Sequence, residues 1–148
     1  MSRRRGFTLI ELLIVVLVIS VLAGIALLRF IDLRNTARAA AVAGDFRVVT
    51  VAAYNYHADN NAWPPEAGAG VIPPALVSYL PGGFQFSRPE YTLDYDNLGT
   101  GGVYVIGVTV TSADAKLMTK LVQNLGAKHP YFAAGGVLTY IISSSGGA

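Results

Sequence analysis

The stretch "RRRGFTLIELLIVVLVIS", residues 3 to 20, decides how the rest of the chain is read. Three arginines and a glycine lead into an apolar run that carries a single acid, Glu11. From Leu12 to Leu28 there are seventeen residues without a charge, and from Phe7 to Leu28 Glu11 is the sole ionisable side chain. A helix of roughly 20 residues, rising about 1.5 Å per residue, spans a hydrocarbon core of ~30 Å. The run is therefore long enough to cross a membrane. The arginines before it hold the N-terminus on the cytoplasmic side and send the remainder outward. Arg29 marks the far boundary, where its stem snorkels along the apolar surface.

Composition agrees. Hydrophobic residues make up 53% of the 148 and charged residues 14%, which leans toward membrane contact relative to ordinary globular usage. The length suits one domain with a sizeable core. The formal charge of +2 misleads: Arg3, Arg4 and Arg5 supply three of the eleven basic residues, so the chain after residue 6 carries eight basic against nine acidic ones, a net of −1. That excludes the basic footprint of a nucleic-acid binder. With no cysteine, neither a disulfide framework nor a thiolate metal site is available.

A cleaved secretory signal also has a basic start and an apolar run, but its apolar part is about 7 to 15 residues, shorter than this one, and carries no acid at its head. Glu11 then needs a reason. An unpaired carboxylate near lipid is costly, and the cost is of the same order as the attraction of a cation one helical turn away. Two readings stand: an assembly role in which a cation is brought to Glu11, or an acid among headgroups favoured by the positive end of the helix. Gly6 is open in the same way. It offers a protease close backbone approach, or it is flexible punctuation before the helix.

With its basic leader, the segment Gly6-Phe7-Thr8-Leu9-Ile10-Glu11-Leu12-Leu13-Ile14-Val15-Val16 resembles the N-terminal signature of type IV prepilins and type II secretion pseudopilins; the likeness covers about the first thirty residues. It implies cleavage after Gly6 by a membrane prepilin peptidase and N-methyltransferase, methylation of the new Phe7 amine, and assembly with identical and related subunits on an inner-membrane platform. The filament implied is a type II secretion pseudopilus or a type IV pilus. Glu11 is the residue the family uses to engage the Phe7 amine, commonly that of a neighbouring subunit. The implied location is the bacterial inner membrane, single-pass, with the headpiece periplasmic, and then the filament. Many members carry a proline where this chain has Leu28, so a proline-dependent kink is not expected there.

The fold expected is α+β and pilin-like: a long N-terminal helix, transmembrane in its first half, packed on a small antiparallel β-sheet headpiece. Residues 1–6 form the leader, 7–29 the transmembrane or filament-core helix, 30–62 its amphipathic continuation and 63–148 the headpiece. In the continuation, Phe30, Leu33, Ala37, Ala40, Ala41, Gly44, Val48 and Val51 recur at helical spacing, with Phe46, Val49, Ala53 and Tyr56 as an adjoining row, predicting one wide apolar face opposite Arg34, Arg38 and Asp45. No strong breaker precedes Asn60-Asn61. The headpiece reads as a short helix over 75–80, a brief strand over 84–86, strands over 90–95 and 103–110 around the turn "DNLGTGG", a helix over 113–125 capped by Ser112, and a strand over 137–142.

Catalytic patterns are missing. His57 and His129 are distant in sequence and neither has a ligand partner at metal spacing. Asp59 lies near His57, but no serine or cysteine in a nucleophile setting accompanies them. The glycines of 99–102 do not open a helix after a strand and are read as turn residues. Trp63, Tyr79, Phe84 and Tyr131 are read as core. Asp94, Asp96 and Asn97 put oxygen ligands close together as calcium requires, and some pseudopilins bind calcium in the headpiece; Asx and Gly residues also make ordinary hairpins. The chain is thus expected to be a non-enzymatic filament subunit, the competing reading being a single-pass membrane-anchored binding domain that does not polymerise.

Overall fold

The long apolar run becomes helix α1, Leu9–Asn60, fifty-two residues in one element. The computed structural model describes residues 7–100 and 103–145; Arg3, Arg4, Arg5 and Gly6, the turn glycines Gly101 and Gly102, and the last three residues lie outside them. Contacts divide the chain into two units, one ending at Asn35 and one beginning at Thr36.

From Leu12 to Leu28 α1 is apolar on every side and covered on none, and large apolar side chains stay exposed from Leu9 at 77% through Leu17 at 65% to Leu33 at 67%. Water does not tolerate a contiguous apolar surface of that extent, so lipid or protein must cover it. Its one hydroxyl past the first turn, Ser20, donates to the Val16 carbonyl at 2.7 Å, which keeps a polar group paired on an otherwise apolar surface. The helix passes through Gly24 and Leu28 without interruption.

In the second unit α1 packs on a four-stranded antiparallel sheet, β1 Thr92–Thr100, β2 Val103–Thr111, β3 Tyr131–Ala134 and β4 Val137–Ser144, in the order β1-β2-β4-β3. Alternation along the strands puts Leu93, Tyr95, Ile106, Val108, Val110 and Leu138 inside. Against them lie Ala39, Val42, Phe46, Val49, Ala52 and Ala53 of α1, with Phe46 stacked on Tyr140 at 5.4 Å. Each large aliphatic side chain so buried contributes about 1.5–3 kcal/mol. Helix α2, Ala115–Leu125, buries Leu117, Met118, Leu121 and Leu125. Trp63, Tyr79, Phe84 and Tyr131 are partly buried against this core, as expected.

Several sequence expectations change. The wide apolar face of α1 is two faces: the row through Phe46 and Val49 is buried, whereas Ala37, Ala40, Ala41, Gly44 and Val51 are exposed. Helical periodicity finds apolar stripes but not which one a sheet covers. Arg38 and Asp45 are not free on a polar side, being clasped by headpiece residues. The short helix over 75–80 is a 3-10 turn, Pro74–Leu76. The brief strand over 84–86 is not a strand; Phe86 instead takes a bond from the Leu93 amide at 2.7 Å. β1 starts later than predicted and runs on through the residues read as a turn, because β2 pairs with them to Thr100↔Val103. Strand β3 was not anticipated; four residues joined to β4 through Gly135-Gly136 leave too short a period-2 pattern.

The α2 cap also moves. Asp114, not Ser112, accepts from the Lys116 and Leu117 amides, while Ser112 donates to the Glu90 carbonyl and accepts from the Asp114 amide. At Gly136 a Cβ would stand 2.5 Å from the Ser112 carbonyl oxygen, so the backbone approach that joins β2 to the β3–β4 turn needs glycine. Helix α1 stops at Asn61, whose φ of 52° is one that asparagine tolerates.

Candidate functional site

The start of α1 is built by three hydrogen bonds. The Thr8 amide donates to Glu11 Oε2 at 2.8 Å, the Thr8 hydroxyl donates to the same oxygen at 2.7 Å, and the Glu11 amide donates to Thr8 Oγ1 at 3.3 Å. This is a reciprocal capping box, in which two orphan amides of the first turn are satisfied by two side chains. The carboxylate is thereby turned toward the N-terminal end of the helix, next to exposed Phe7. The sequence pattern points to Glu11 and Phe7 and, as read above, gives Thr8 no share in holding the acid. The signal was available: Ser or Thr followed three residues later by Glu, before an apolar run, marks such a box.

The second cluster lies on β1. Asp94 and Asp96, two apart on a strand, share the sheet face away from Leu93 and Tyr95. Asp96 accepts from the Thr109 hydroxyl, which also bonds Thr139 at 2.7 Å. Asn97 belongs to the other face, where its amide nitrogen donates to the Pro64 carbonyl at 2.8 Å. The three oxygen-bearing residues are therefore not gathered in a loop, which corrects the geometry expected for calcium. Among the described residues no group of three His, Cys, Asp or Glu is placed to hold a metal ion. Burial, then Asp96 and Glu66, raise the Asp94 carboxyl above the usual carboxylate range. Asp96 is raised in the same way by burial and Glu66, against the Thr109 bond. Asp94 Oδ1 is buried without a hydrogen-bond partner.

Elsewhere charge is used to join elements. Arg38 on α1 donates to Glu90 at 2.7 Å and to Asp114 at 3.0 Å, tying the helix to the loop before β1 and to the α2 cap. Its bond to Glu90 strengthens the guanidinium's hold on its proton, and the Leu117 amide bond, with burial opposing, keeps Asp114 below the usual range. Asp45 accepts from the Tyr91 hydroxyl and pairs with Arg88 at 3.2 Å. The two histidines have separate neighbours: His57 stacks on Trp63 with ring centroids 4.3 Å apart, and His129 meets the Tyr140 hydroxyl at 3.3 Å. Asp59 accepts from Tyr79 rather than from His57. None of these arrangements pairs a nucleophile with a base.

Residues 1–27 match the prokaryotic N-terminal methylation motif, the segment on which the resemblance to prepilins and pseudopilins rests. Among solved structures the chain is similar to the major type IV pilin PilA1 from Clostridium difficile, at 18% identity and a TM-score of 0.49, covering 75% of this chain and 98% of that one. No curated protein matches the chain.

Proposed function

We propose that the chain is a prepilin-like structural subunit, stored in the inner membrane by α1, cleaved after Gly6, methylated on Phe7 and stacked into a helical filament. The observation that carries this reading is the methylation motif running straight into a helix whose apolar surface is exposed from Leu9 to Leu33. Filament neighbours and lipid both cover such a surface, and the second exposed apolar stripe of α1, through Ala37, Gly44 and Val51, supports the former. Within the class, the absence of cysteine turns the reading toward a type II secretion pseudopilus rather than a disulfide-looped type IV pilus. The subunit's partners are then the prepilin peptidase and N-methyltransferase, its own and related subunits, and the assembly platform.

Glu11 links the stages. Cleavage creates an ammonium at Phe7 beside a carboxylate that the capping box has already aimed, and a neighbouring subunit's ammonium is an equivalent partner in trans. One observation favours the rival reading of a tether that never polymerises: Glu11 already accepts two bonds from Thr8 in cis. Mass spectrometry of the chain from cells that hold the peptidase separates the two. A methylated Phe7 terminus, with sedimentable filaments lost on Glu11→Gln, supports the subunit. Gln keeps the capping box but not the charge. A retained arginine leader without filaments refutes it, and full assembly by Glu11→Gln refutes the role given to the Glu11 charge while leaving the subunit reading in place.

A further inference from the structure

The second unit carries three arginines, and their surroundings differ. Arg38 is held by Glu90 and Asp114, and Arg88 by Asp45. Arg47 has no ion pair or hydrogen bond among the described residues. Nor does an acid stand one turn from it along α1, where the neighbours are Ala43, Gly44, Thr50 and Val51. Instead Arg47 borders a small cavity of about 40 Å³ formed by α1, the end of α2, His129 and β4. Its apolar lining includes Leu125 and Phe46, the latter stacked on Tyr140 at 5.4 Å. Its polar lining is Arg47, Asn124, His129 and Tyr140, with no carboxylate among them. With the Tyr140 hydroxyl donating to His129 Nδ1 at 3.3 Å, the imidazole proton resides on Nε2, a further donor. The Asn124 amide is another.

Donors therefore converge on a space that holds no acceptor of matching charge. A guanidinium presents parallel N–H groups in a fork that a carboxylate accepts in bidentate fashion. Size agrees with that partner. A water needs about 10–15 Å³ of such space, so the cavity takes roughly three water-sized groups, the three heavy atoms of a carboxylate rather than the five of a phosphate. We propose that this cavity binds a carboxylate group, Arg47 supplying the fork and His129 and Asn124 the remaining donors. Arg47 and His129 are exposed, so the rest of the ligand stays in water, and the group comes from a small free acid or from an acidic peptide. The site is independent of the filament reading. Its rival is a cavity filled by water alone, with Arg47 answering the carbonyl end of α2.

Thermal unfolding of the full chain in detergent, followed by Trp63 fluorescence, separates the two. With Kd on the order of 10 mM, about 100 mM acetate raises Tm by about 3–6 °C over chloride at equal ionic strength, and phosphate does not. Arg47→Gln abolishes the acetate shift and leaves Tm in chloride nearly in place, since Arg47 holds no other partner. An end-blocked Gly-Glu-Gly peptide that reproduces the shift assigns the carboxylate to a peptide, and a shift with acetate alone assigns it to a small acid. No rise over chloride, or an equal rise in Arg47→Gln, overturns the site. An equal rise with phosphate overturns the carboxylate. Filament formation by Arg47→Gln at the normal level leaves the filament reading standing whichever result is found.

Discussion

Leu93 and Leu98 stand five residues apart on β1 with opposite fates, Leu93 fully buried and Leu98 61% exposed. The same substitution at the two positions therefore tests the strand's register and its extension past Tyr95. Leu93 faces Val110 across the β1–β2 pair and belongs to the core with Phe46 and Tyr95. Truncating such a leucine to alanine removes its transfer energy and leaves a cavity, for about 2–5 kcal/mol. At Leu98 the cost is within about 0.5 kcal/mol. For a unit of this size about 1 kcal/mol moves Tm by roughly 3–5 °C, so Leu93→Ala, at about 2–5 kcal/mol, lowers it by about 6 °C or more while Leu98→Ala leaves it nearly in place. The full chain in detergent is the sample, and the fluorescence of Trp63, the single tryptophan, is the signal, because it stacks on His57 and packs near Tyr104 in the headpiece. Far-ultraviolet dichroism would be dominated by the long helix. Equal losses at the two positions, or a cost below about 1 kcal/mol at Leu93, would refute the register.

Other outcomes follow from the charged clusters and the close glycine. Asp94 and Asp96 titrate above their ordinary value of 3.8 in the fold, so the native state holds more protons than the unfolded one between that value and their raised ones. Their share of stability grows as pH falls from neutral through that window, and Asp94→Asn flattens this part of a Tm-against-pH profile while raising Tm at pH 7. Asp114 acts in the opposite sense. Its lowered carboxyl stabilises above 3.8 and the contribution is lost as pH drops through the lowered value, so Asp114→Ala costs about 1 kcal/mol of cap at neutral pH, read by thermal unfolding, and less in acid. Calcium leaves the Tm of the purified chain unmoved, since Asn97 lies on the face opposite Asp94 and Asp96; a rise on titration would reinstate that site. Gly136→Ala forces apart the turn and the Ser112 carbonyl and lowers Tm by far more than Gly82→Ala, where a Cβ meets nothing.

By itself the sequence determined the N-terminal half almost completely. An uninterrupted apolar run has one stable backbone solution in lipid, a helix, and its start was written in Thr8 and Glu11 and its stop in Asn60-Asn61. It also determined that β2, α2 and β4 exist, because β2 and β4 are short runs of strand-forming residues bounded by turn residues and α2 carries apolar residues at helical spacing. What it left undecided were questions of partner. Which stripe of α1 is buried, whether 96–100 is turn or strand, whether Ser112 or Asp114 caps α2, and that Asn97 turns its back on Asp94 and Asp96 all depend on what comes to lie opposite. Tertiary structure decided these, since an apolar stripe, a strand edge or a carboxylate is assigned its role by the group that pairs with it across the chain, and local pattern carries no record of that group.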